Sequence, residues 1–78
     1  MLNINELIEN FHQSVSDFKS KVGEDMYHTG RVHAFILVFS ELYKQRLING
    51  DTLSQLKREW DEAFQSKYGI ADKENENN

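Results

Sequence analysis

Six consecutive apolar residues, Ala34-Phe35-Ile36-Leu37-Val38-Phe39, lie at the centre of the stretch from Gly30 to Leu47, the most apolar part of this chain. The stretch predicts the central helix of a small helical bundle, with everything else arranged around it. Proline is absent and only four glycines occur in 78 residues, so most helix breakers are missing and an all-α chain is favoured. A chain of this size holds one domain and one core. Without cysteine it cannot lean on disulfides, and must rely on good helix packing or on association.

The first helix is predicted over residues 4–22. Asn3 and Glu6 have the spacing of a capping box, in an Asn version. Ile4, Leu7, Ile8, Phe11, Val15, Phe18 and Val22 then recur at helical spacing and fill an arc of about 100°, so this helix packs along one stripe. Asp17 and Lys21 are an i,i+4 pair outside the stripe, and Gly23 is the expected stop. Glu24 and Asp25 suit the positive end of a second helix, predicted over 25–48. Its main apolar arc gathers Val32, Phe35, Ile36, Val38, Phe39, Leu42, Tyr43 and Leu47, wide enough to face two neighbours. Lys44 and Arg46 suit its negative pole, and Asn49-Gly50 should close it. A third helix is predicted over 52–68, capped by Asp51 or Thr52, with a stripe of Leu53, Leu56, Trp60, Ala63, Phe64 and Tyr68. Gly69 is its expected C′ residue, with Ile70 making the hydrophobic contact that follows such a stop. Residues 70–78 carry no apolar side chain larger than alanine after Ile70 and read as a disordered acidic tail. The sum is an antiparallel three-helix bundle over residues 1–69, with a long central helix.

The net charge of −4 is divided between tail and body, each at −2. That is too balanced for a protein dedicated to phosphate backbones and too weak for a mimic of nucleic-acid charge. No apolar run approaches the roughly 20 residues that span a bilayer. The first six residues have neither a basic nor a continuous apolar leader region, so a cytoplasmic location is expected.

Chemistry is hard to place on this sequence. His28 and His33 lie about 140° apart on one helix and cannot share a metal; His12 is on another. Asp25 and His28 share a face at i,i+3, but no Cys or dense acid cluster completes a ligand set. There is no nucleophile elbow and no Gly-rich phosphate loop. No catalytic residue, metal or cofactor is therefore assigned, and a non-enzymatic protein is expected.

A second stripe on the back of helix 2 is the informative surplus. Gly30, Ala34, Leu37, Glu41 and Ile48 fall within about 60° of one another, opposite the main apolar arc, with Met26 flanking them. A bundle core does not need them, and exposed leucine and isoleucine would call for a cover. The pattern predicts a contact surface, for a second copy of the chain or for another protein. Tyr27, Arg31 and Lys44 are candidate anchors, since Tyr and Arg are enriched at interface hot spots. The competing explanation is that helices 1 and 3 wrap further round helix 2 and make the stripe ordinary core.

One rival function is legible. The segment from Ile48 to Arg58 is similar to the turn and second helix of a helix-turn-helix, which would make Thr52, Ser54, Gln55 and Arg58 contacts to DNA. Asp51, Glu59, Asp61 and Glu62 crowd the same helix, and its first helix would be too long. In its short length and Asn/Lys/Glu-rich composition without Cys or Pro, the chain also resembles accessory proteins of phages and other mobile elements of low-GC bacteria. That resemblance implies a binder that inhibits or redirects a host or defence protein, which accords with a protein-protein interaction module that self-associates through helix 2.

Overall fold

The computed structural model describes residues 3–77, with side chains described over 3–69. Three helices follow in order: α1 (Ile4–Ser20), α2 (Asp25–Lys44) and α3 (Gly50–Asn77). All three pack on one another as a three-helix bundle.

The direction of each helix is fixed by cross-contacts. The α3 residue Lys67 reaches the end of α1 at Lys21 and the start of α2 at Asp25. His12 at mid-α1 meets Glu59 at mid-α3, and Arg31 of α2 approaches Asp17 of α1. Consequently α1 and α3 run the same way and α2 runs against both. Their shared core is Phe11, Val15 and Phe18 from α1, Val32, Phe39 and Leu42 from α2, and Leu56, Trp60 and Ala63 from α3. Rings meet edge-on inside it: Phe11 with Phe39 at 5.4 Å between centroids, Phe18 with Trp60 at 4.7 Å. Such pairs contribute about 0.5–1.5 kcal/mol beyond the burial of their area. Ser14 is buried as well, its hydroxyl donating 3.0 Å back to Asn10 O within the helix.

The helix ends depart from the sequence expectations for local reasons. Asn3 caps α1 as expected, its side chain accepting from Glu6 N at 3.1 Å. The helix stops at Ser20, however, and Val22 is 95% exposed in place of joining the stripe. Gly23, with φ 96°, turns the chain inside the connecting loop. Asp17 does not pair with Lys21 through its side chain. It accepts from Gln13 Nε2 at 3.0 Å and lies 3.8 Å from Arg31.

α2 ends at Lys44, not at residue 48. Leu47 N donates to Leu42 O and Arg46 N to Tyr43 O, both at 2.9 Å, which is a complete Schellman closure. Its left-handed residue is Arg46, at φ 64°, where glycine is usual. Ending the helix a turn early takes Leu47 off it and leaves that side chain exposed, and Tyr43 in its last turn is exposed as well, where the periodicity places both in the core. The freed Asn49 then caps α3, accepting from Thr52 N at 2.8 Å, in the role expected of Asp51 or Thr52. At the far end α3 does not stop at Gly69 but continues to Asn77. The expected contact of Ile70 lies outside the described side chains.

Candidate interaction surface

The core directs one side of α2 inward and, among the described residues, leaves the other without a neighbour. His28, Val32, Phe39 and Leu42 are buried, with Phe35 and Ile36 packed against the core beside them. On the opposite side the predicted stripe is open: Met26 is 91% exposed and Leu37 72%, with Gly30, Ala34 and Glu41 exposed between and beyond them. The explanation of this stripe as core therefore fails for these five residues. Ile48 does not belong to the stripe: it lies past the end of α2 and packs half-buried against the core.

Gly30 stands out on this surface. A Cβ placed on it meets nothing within 4 Å, so packing within the chain does not require glycine there. A helix-interior glycine costs about 0.5–1 kcal/mol relative to alanine, which the fold of the single chain leaves without return.

The three candidate anchors behave differently. Tyr27 and Lys44 are exposed. Arg31 is half-buried and already engaged, its guanidinium 5.7 Å above the Tyr27 ring and 3.8 Å from Asp17. Together these residues edge the apolar stripe with an aromatic ring and two positive charges.

Two clusters were not legible in the sequence. Asp25 does not pair with His28; its carboxylate receives Lys67 Nζ at 2.7 Å and the Tyr68 hydroxyl. His28 is 2% exposed, and neither ring nitrogen has a hydrogen-bond partner among the described residues. Glu24, with Oε2 3.6 Å from Nε2, is its nearest ionic neighbour. Second, His12 Nδ1 lies 2.7 Å from the Glu59 carboxylate on the wall of an open groove of about 590 Å³ between α1 and α3. Ser16 lines the same groove, but no hydrogen bond joins it to His12 among the described residues, so no nucleophile-base pair is assembled. Neither cluster offers spacing a reader could detect, because each joins residues more than 40 positions apart.

Among the described residues no group of three or more His, Cys, Asp or Glu side chains could hold a metal ion, and no helix is long and apolar enough to cross a membrane. The proposed DNA contacts sit in acidic company. Thr52 is half-buried at the α3 start, and Gln55 shares the α1–α3 groove with Glu59 and Glu62. Ser54 and Arg58 are exposed on a helix face that also carries Asp51 and Asp61, whose charge opposes phosphate. Comparison with protein-family models, curated proteins and solved structures finds no match for this chain.

Proposed function

We propose that the protein is a non-enzymatic protein-protein interaction module that docks through the outward face of α2. The observation that carries this reading is the exposure of Leu37 and Met26 on the side of α2 turned away from the core. Large apolar side chains grouped on one open helix face mark an association surface more often than isolated ones do. A module of this kind acts by occupying or bridging other proteins, the mode of action expected of an accessory protein that inhibits or redirects a host or defence protein. It needs no enclosed pocket and no cofactor.

The test is covalent capture. A photoreactive benzoylphenylalanine at position 37, with a control probe at exposed Glu9, is expected to give a defined protein adduct from position 37 alone. A folded, abundant chain that yields no adduct from that position would remove the basis of the proposal.

A further inference from the structure

We infer that the occupant of this face is a second copy of the chain, bound through α2 against α2 in antiparallel orientation; the inference rests on the interaction reading above. Three observations support it. The first is the seam itself. Tyr27, Gly30, Ala34, Leu37, Glu41 and Lys44 alternate in steps of three and four along a helix of 20 residues, the spacing by which one helix meets another along its whole length. An antiparallel pair about a two-fold axis sets Ala34 opposite Leu37 of the other copy and Gly30 opposite Glu41, with Tyr27 opposite Lys44. Every large side chain then faces a smaller or complementary one.

The second observation is the charge. Glu24 stands at the start of α2, and Lys44 and Arg46 stand at its end, all exposed. Parallel pairing would bring like charges together at both ends. Antiparallel pairing brings Glu24 toward Lys44 and Arg46, and Glu41 toward Arg31, twice over by symmetry; the helix dipoles oppose as well. Exposed Met26 and Leu47 meet at the two ends of the seam.

The third is Gly30. The open space over it in the single chain is the place where this register lays the Glu41 side chain of the other copy, beside Arg31. Glycine at this position, without a reason inside the chain, acquires one in the pair.

Sedimentation equilibrium of the purified chain to about 500 µM, where contacts of even high-micromolar strength register, is expected to show a dimer. Gly30→Leu, which meets open space in the single chain, is expected to keep its helicity and sediment as a monomer. Glu41→Lys and Arg31→Glu each place like charges across the pair at two symmetric sites, and each is expected to lose about tenfold or more in self-affinity. Mixed in equal amounts, these two variants are expected to recover a heterodimer, because both cross-pairs become opposite in charge. Persistence of the dimer in Gly30→Leu, or failure of the mixture to recover while both variants remain helical, would overturn the antiparallel arrangement. A wild-type chain that stays monomeric overturns the homotypic inference altogether. The adduct from position 37 separates this failure from that of the interaction reading: a product of twice the chain mass denotes self-pairing, another mass a different protein, and no product neither.

Discussion

Lys67 Nζ on α3 lies 2.7 Å from Asp25 Oδ1 in the first turn of α2 and also donates to the carbonyl oxygens of Phe18 and Lys21 at the end of α1. One ammonium group therefore satisfies carbonyls that the end of a helix leaves without partners, and neutralises an acid at the start of the next helix. Its position 4.5 Å over the Phe18 ring adds a cation-π contact at the edge of the core. The single side chain ties α3 to the end of α1 and the start of α2.

Replacing it should be felt across the bundle. Lys67→Met keeps much of the apolar stem and removes every polar contact, leaving Asp25 with the Tyr68 hydroxyl. Because the site is only partly buried, the expected loss is about 1–2 kcal/mol, at the low end for hydrogen bonds to charged groups. Urea unfolding followed by circular dichroism measures it. No change in midpoint would mean that the ammonium exchanges these partners for water without cost.

Val22 and Phe18 test where α1 ends. Val22 belongs to the same sequence periodicity as Phe18 but is exposed, whereas Phe18 is fully buried. Val22→Ser is expected to alter stability by no more than about 0.5 kcal/mol, while Phe18→Ala should cost about 3–5 kcal/mol. Comparable losses from the two, by the same unfolding assay, would place Val22 in the core after all.

Arg46 closes α2 in a conformation that L side chains adopt at a cost. At φ 64° it carries a strain of about 1–2 kcal/mol that glycine would not bear, offset in part by the greater freedom glycine has in the unfolded chain. Arg46→Gly is expected to raise stability by about 0.5–1 kcal/mol. A destabilised variant would show that the arginine charge at the helix terminus outweighs the strain.

The sequence carried the fold class and part of the inward face of α2, because both depend on periodicity within one helix; Val38, Tyr43 and Leu47, placed on that face, are exposed. Phe11, Phe18, Phe39, Leu56 and Trp60 were legible as core for that reason; Leu37 was legible as lying off the main arc, but periodicity left both surface and core open for it until the structure placed it in solvent. Helix ends were read less well. Gly23, Gly50 and Gly69 have the sequence pattern of helix punctuation, yet Arg46 supplies the left-handed stop of α2, Asn49 the cap of α3, and Gly69 sits inside a helix. Side chains able to take either role are decided by which closure lets the neighbouring residues pack. Lys67 with Asp25, and His12 with Glu59, belong to tertiary structure alone. No local pattern distinguishes them from solvated charges.

His28 is the remaining test of how the core tolerates polarity. The imidazole is buried at the first turns of α2, beside the Tyr27 ring at 5.1 Å between centroids, with both nitrogens lacking hydrogen-bond partners among the described residues. Burying a polar group without a partner costs about 1–3 kcal/mol, which a leucine of similar volume would not incur. His28→Leu is therefore expected to stabilise the bundle by about 1 kcal/mol, less than the full penalty because leucine does not reproduce the flat ring against Tyr27. The urea midpoint reads the change, and the slope of the transition should remain that of the wild type. A destabilised His28→Leu would show that the ring engages Glu24 across the 3.6 Å separation, and that this contact contributes more than the apolar fit leucine provides. His28→Gln, which retains a donor and an acceptor without the ring, distinguishes those contributions: it recovers stability where the hydrogen bond matters and loses more where packing does.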